Sequence, residues 1–212
     1  MELYEYINES GAFKIDKMGI LWEFVADETN IIGDKTYKSL IIPNEVKGFS
    51  DEFGRYIYVT DKFKLPRKLW DVGMYLNDWA DAGRKCGCVF ADSKLPAVLL
   101  PEEIVSDLSG PFAFGNAHIQ ELCIPESYDA RKWKQRTFKG CTIDKLYVPE
   151  KFHNEDNDYD EVMSPLWRSQ IGELYFDSVK INEIYVYYKR ESGKFPADEN
   201  SVLVAKRTHT KL

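Results

Sequence analysis

The sequence predicts an α/β solenoid: strand-rich turns with short helical or irregular return arms and one inserted helix. Three observations predict it. A seven-residue pattern (apolar, two free positions, apolar, one free, apolar, proline) occurs at Tyr37–Pro43, Leu95–Pro101, Ile119–Pro125 and Ile143–Pro149. At 44% apolar residues, chance would place it at about 0.8 of the nine prolines. The spacing agrees: Pro101, Pro125 and Pro149 are 24 residues apart, and Pro43 lies 23 residues before Pro66. Finally, Phe114 and Phe138 each follow their proline by 13 residues. A period of this size with an apolar signature belongs to a solenoid whose turns stack only on their neighbours.

Each element follows in order. Residues 1–36 read as an N-terminal cap, with a hairpin in Phe13–Val25 turning at Lys17-Met18-Gly19. Residues 37–190 read as the repeats. In each turn, alternation such as Leu122 and Ile124, or Leu146 and Val148, points two side chains inward from a short strand. The proline that follows has no ladder donor, so it ends the pairing and turns the chain. Thr60–Pro66 misses the pattern only at its first position. From Pro66 to Pro101 is 35 residues, one period plus an insertion of about a dozen, assigned to residues 67–94. Within it Leu69, Val72, Leu76, Trp79 and Gly83 have helical spacing, which predicts an amphipathic helix over 67–83. An enlarged acidic loop spans 150–170. Ile171–Phe176 and Ile181–Val186 start ten residues apart, too close for two full turns, and are expected to close the solenoid as a hairpin. Residues 191–212 form a tail or cap, with a last strand expected at Ser201–Ala205.

The steps Ile124–Cys141 (IPES…TFKGC) and Leu100–Ala117 (LPEE…AFGNA) join a strand, an apolar-proline end, a following aromatic and a small closing residue. This combination resembles the BspA-type leucine-rich repeat family, over about residues 13–190. It departs from the family's pattern in 67–94 and 150–170. The resemblance implies a leucine-rich-repeat solenoid that serves as a binding surface in a bacterial protein, often at the cell surface.

Composition narrows the function. With 28 basic and 35 acidic side chains the net charge is -7, and the pI is near 5.1. That argues against general affinity for nucleic acid or anionic membranes. No apolar run reaches the roughly 20 residues of a membrane helix. The start, with Glu2, Glu5 and Glu9, lacks the basic and apolar regions of an export signal. A complete chain is therefore expected in the cytoplasm; a chain trimmed of a leader is expected at the cell surface or secreted. Cys86, Cys88, Cys123 and Cys141 read as ordinary thiols, and His118, His153 and His209 match no zinc spacing. Asp156, Asp158 and Asp160 alternate like a calcium loop, but Glu161 and Trp167 occupy the positions that need glycine and a bidentate Glu. A basic stretch around Trp133 (Arg131, Lys132, Lys134, Arg136, Lys139) reads as solvated charge on a return arm. No phosphate loop, nucleophile elbow or HExxH motif is present. No cofactor, metal or catalytic residue is predicted.

What remains is a surface. The free strand positions face outward, and the later strands bring Glu121, Lys145, Glu173 and Glu183 beside Tyr147, Tyr175 and Tyr185. Tyrosines among charges suit recognition, since Tyr brings large contact area at low entropic cost; they also stabilise exposed sheets as cross-strand pairs. The expected function is a non-catalytic interaction module presenting this face to a protein or glycan. The alternative is a hydrolase or transferase with a site between the 67–94 insertion and the sheet.

Overall fold

A computed structural model describes residues 1–50, 53, 56–69, 74–75, 89–101, 103–104, 113–125, 137–148, 169–181, 184–189 and 202–203. The chain opens with three antiparallel strands, β1 (Leu3–Asn8), β2 (Gly11–Asp16) and β3 (Ile20–Ala26). Strand β2 alternates cleanly: Phe13 and Ile15 are buried while Lys14 and Asp16 are part-exposed. The β2–β3 turn is the expected Lys17-Met18-Gly19. Gly19 takes φ +87, and the Asp16 carboxylate accepts from the Met18 and Ile20 amides and the Trp22 indole. Burial pushes the Asp16 pKa up, but these hydrogen bonds outweigh it and leave the pKa below the usual value.

A 3₁₀ turn at Glu28–Asn30 follows, capped by the Asp27 carboxylate. Asn30 is buried and ties the cap to the first solenoid strand. Its Nδ2 donates to the Ser10 and Ser39 carbonyls, each at 2.8 Å, and its Oδ1 accepts from the Ser39 amide at 2.7 Å. Ser10 Oγ accepts from the Ile41 amide at 2.8 Å. A buried polar group satisfied on every side in this way fixes one docking geometry.

Strands β4 (Ile31–Gly33) and β5 (Thr36–Ile41) form a hairpin, and the solenoid begins at β5. Further along come β6 (Gly48–Ser50), β7 (Tyr58–Lys64), β8 (Lys68–Leu69), β9 (Met74–Tyr75), β10 (Lys94–Leu99), β11 (Glu103–Ile104), β12 (His118–Cys123) and β13 (Thr142–Tyr147). The chain continues through β14 (Gln170–Ile181), β15 (Ile184–Lys189) and β16 (Val202–Leu203). The main sheet runs β15-β14-β13-β12-β10-β7-β5-β4, and β16 also pairs with β14. From β5 to β14 the neighbours are parallel, one strand per turn. A second sheet, β1-β2-β3-β6-β9, and a third, β8-β11, wall the return side. The fold is a β-solenoid.

Register repeats from turn to turn. Val98 pairs with Leu122, Leu122 with Leu146, and Leu146 with Leu174. Leu40, Val98, Leu122 and Leu146 are all fully buried in one core. The residue before each proline donates its amide to the next turn: Ile42 to Lys64 O (3.0 Å), Leu100 to Cys123 O (3.1 Å), Ile124 to Tyr147 O (2.9 Å) and Val148 to Tyr175 O (2.9 Å). The proline then ends the ladder, as its missing N–H requires.

The aromatic phase extends one turn earlier than the prolines revealed. Phe90 stacks on Phe114 (5.2 Å between centroids, 22°) and Phe114 on Phe138 (4.9 Å, 15°). Phe49 and Phe63 meet Phe90 edge-on. Two residues after each stacked ring the chain turns through the left-handed region, at Asp92 (φ 57), Asn116 (φ 57) and Gly140 (φ 73). Asn116 Nδ2 reaches Asp92 Oδ1 at 3.3 Å, and a Cβ at Gly140 would stand 2.5 Å from Asn116 Oδ1. The next position is small: Cys141 Sγ donates to Phe114 O at 2.9 Å, and Ser169 Oγ, one turn on, donates to Phe138 O.

Three expectations change. The near-miss at Thr60–Pro66 is a bulge: β7 places two residues, Thr60 and Asp61, against Lys38, so buried Val59 fills the inward position. The predicted helix over 67–83 fails where the chain is described. Lys68–Leu69 pairs with Glu103–Ile104, and Met74–Tyr75 pairs with Phe49–Ser50, all as parallel strands. Leu69 is buried as a strand residue; periodicity alone leaves short apolar runs ambiguous between helix and strand. The rest of that segment lies outside the described residues. The return arms, expected to be helical or irregular, carry short strands, and the only helical element among the described residues is the 3₁₀ turn. The chain does close with an antiparallel hairpin, but its arms are Phe176–Ile181 and Ile184–Lys189, while Ile171–Tyr175 pairs in parallel with β13 as a further turn; Val202–Leu203 adds the last strand.

Candidate functional site

Parallel register lines up the outward positions of β10, β12, β13 and β14 in rows. One row is Ala97, Glu121, Lys145 and Glu173; beside it run Leu99, Cys123, Tyr147 and Tyr175. Lys145 Nζ donates to Glu121 Oε1 at 2.9 Å, with both side chains part-exposed. That hydrogen bond is the main cause raising the Lys145 pKa; burial opposes it, and the neighbouring Glu121, Tyr175 and Glu173 charges add smaller increases. The Tyr175 hydroxyl donates to Glu173 Oε2. One register step toward the strand starts, His118 Nε2 lies 3.0 Å from Asp144 Oδ2.

The tyrosines separate in role. Tyr147 and Tyr175 stack at 4.9 Å and 17°, but Tyr147 is only 6% exposed while Tyr175 is half-buried. Tyr147 packs with Cys123, Leu99 and Tyr175 in a small apolar cluster on the outer face. Its contact area is spent inside the protein, so Tyr175 is the ring of this row that a partner can reach. Tyr185 does not extend the row. The hairpin puts it opposite Lys180, five residues beyond Tyr175 along β14. Glu183 lies outside the described residues. The structure therefore brings together Glu121, Lys145, Tyr147, Glu173 and Tyr175, and separates Tyr185.

Neither of the two described cysteines is placed for thiol chemistry. Cys123 is fully buried, and burial, with the Glu121 charge, pushes its pKa well above the ordinary value. Burial pushes the Cys141 thiol up to about 12. Both stay protonated and unreactive at neutral pH. Among the described residues, no group of three or more His, Cys, Asp or Glu side chains gathers as metal ligands, and no helix is long and apolar enough to cross a membrane. The acidic segment 155–161, the basic stretch around Trp133 apart from Lys139, Cys86, Cys88 and most of 67–94 lie outside the described residues.

Sequence reasoning missed the His118–Asp144 pair and an arrangement on the N-terminal strands. Across β1, β2 and β3, Glu5, Lys14 and Glu23 stand in register, with Lys14 Nζ 2.7 Å from Glu23 Oε2. The alternation of charge in EYINESGAFKIDKMGILWE was the available signal; it becomes a row only once strand pairing is known.

Comparison with protein-family models, with curated proteins and with solved structures returns no match.

Proposed function

We propose that the chain is a non-catalytic interaction module of the BspA-type leucine-rich repeat kind, presenting the outer face of its later turns to a protein or glycan partner. The observation that carries this reading is the row of alternating charge, Glu121–Lys145–Glu173, running beside the accessible ring of Tyr175. Such a row offers fixed polar groups next to an aromatic surface, the composition of recognition faces. The 24-residue period, the buried aliphatic rungs and the stacked phenylalanines support the repeat assignment.

The test is a comparison of what the native chain and a Glu121→Lys/Glu173→Lys/Tyr175→Ser variant capture from native lysate, with folding of both checked by circular dichroism. One partner held by the native chain and lost by the folded variant is the expected result, and protease or glycosidase treatment of that partner assigns its class. An identical captured set from both proteins would remove this face from consideration.

A further inference from the structure

The N-terminal sheet ends on an edge built unlike most. Natural edge strands are shortened, bulged, or marked with Lys or Pro, which discourages another strand from pairing with them. Strand β1 reads Leu3-Tyr4-Glu5-Tyr6-Ile7-Asn8, with no Lys, Pro or bulge. No described strand pairs with its outer side. Its large side chains are in solvent: Leu3 is 38% exposed, Tyr4 45%, Tyr6 36% and Ile7 75%.

The hairpin determines which backbone groups face outward. Asn8 pairs with Gly11 across the two-residue loop Glu9-Ser10, so this is a hydrogen-bonded pair. Alternation then directs the N–H and C=O groups of Tyr6 and Tyr4 toward β2, and those of Ile7, Glu5 and Leu3 toward the open edge. The same three residues form the outer-face end of three cross-strand rows. Glu5 lies beside Lys14, which lies beside Glu23. The Glu23 hydrogen bond is the main cause raising the Lys14 pKa, and the charge of Glu5 adds to it. The row alternates in sign and stops on a carboxylate. On either side, Ile7 continues to Ala12 and Val25, and Leu3 to Asp16. Met1 and Leu3 also line a cavity of about 530 Å³, together with Trp22, Phe24, Tyr37 and Phe53.

We propose that the outer side of β1 binds an extended segment of a partner protein as an added antiparallel strand, with Lys or Arg opposite Glu5 and apolar residues opposite Ile7 and Leu3. The cation supplies the next member of the alternating row. Main-chain hydrogen bonds to Leu3, Glu5 and Ile7 hold the segment, and these alternate side chains select it.

The probe is the blocked heptapeptide Thr-Val-Thr-Lys-Thr-Phe-Thr, which sets Val, Lys and Phe opposite Ile7, Glu5 and Leu3. Its control carries Glu in place of Lys. Fluorescence anisotropy with the full chain should show the Lys peptide favoured by about five- to tenfold, from one cross-strand charge pair gained and one like pair avoided. Glu5→Lys should reverse that preference. Ile7→Pro removes one outward donor at a position where an edge strand tolerates proline, and should abolish binding while the near-ultraviolet circular dichroism is retained. Methylating the backbone nitrogen of the peptide's Lys makes the same test without touching the protein. Equal affinity for the two peptides, no binding of either, or binding indifferent to both Ile7→Pro and the methyl group overturns the proposal. So does self-association through β1 in sedimentation velocity without peptide binding, which would make a second copy the occupant.

Discussion

Replacing Phe114 with Ala tests the stacked spine directly. Its ring is fully buried, with Phe90 on one face at 5.2 Å and Phe138 on the other at 4.9 Å. Truncating a core Phe to Ala costs about 3–5 kcal/mol. Aromatic pairs add about 0.5–1.5 kcal/mol beyond area burial, and this ring belongs to two, so about 5 kcal/mol is the reasonable expectation. Domain stabilities are about 5–15 kcal/mol, so the variant should sit near the limit of folding. Phe114→Leu retains most of the apolar volume and should lose about 1–2 kcal/mol. Equilibrium urea unfolding followed by circular dichroism measures both, with Lys17→Ala in the exposed turn as a control expected within about 0.5 kcal/mol. A double-mutant cycle between Phe114→Leu and Phe138→Leu should give a coupling of about 0.5–1.5 kcal/mol. A loss below about 1 kcal/mol for Phe114→Ala, or no coupling in the cycle, would refute the spine as the element joining the turns.

Gly140→Ala should destabilise by more than about 1 kcal/mol, because φ is +73 and the new methyl meets Asn116 Oδ1. Asn116→Gly in the same chain should recover part of the loss, and absence of rescue in urea unfolding would detach the strain from that contact. For Asp16 the folded pKa is depressed, so its contribution is present above the unfolded value of about 3.9 and is lost as pH falls through the folded one. The stability gap between the native chain and Asp16→Asn should therefore narrow from pH 6 to pH 2; a constant gap would show that the carboxylate charge contributes nothing.

The solenoid was legible because its constraints are local and repeated. A proline that cannot donate, an inward Leu or Ile close before it, and a Phe at constant phase all leave marks in one chain without any pairing information. Phe90 carries the same mark, 24 residues before Phe114, yet no proline stands 13 residues before it to reveal the phase, because the insertion separates it from Pro66. Residues 67–83 misled for a different reason. Leu69 is apolar at helical spacing with Val72, but its burial comes from parallel pairing with Ile104, a contact 35 residues away that no local period encodes. The face was legible as a set of outward positions and illegible as a surface. That Tyr147 is covered while Tyr175 stays accessible depends on three-dimensional packing, and Tyr185 left the row because the final hairpin is longer than its apolar segments suggested.

Because β12 and β13 offer the same hydrogen-bond register and the same inward residues, the lower surface of one coil is interchangeable with that of the next. Inserting a further 24-residue copy between them would leave both chain ends in unchanged surroundings. The polar clamp at Asn30 closes only the first coil and the antiparallel hairpin only the last, so neither senses how many lie between. Molecules of this design can grow or shrink by whole coils, and each addition lengthens the outward charge track by one strand spacing of about 4.8 Å. Reach along a partner is thereby adjustable separately from folding at the ends.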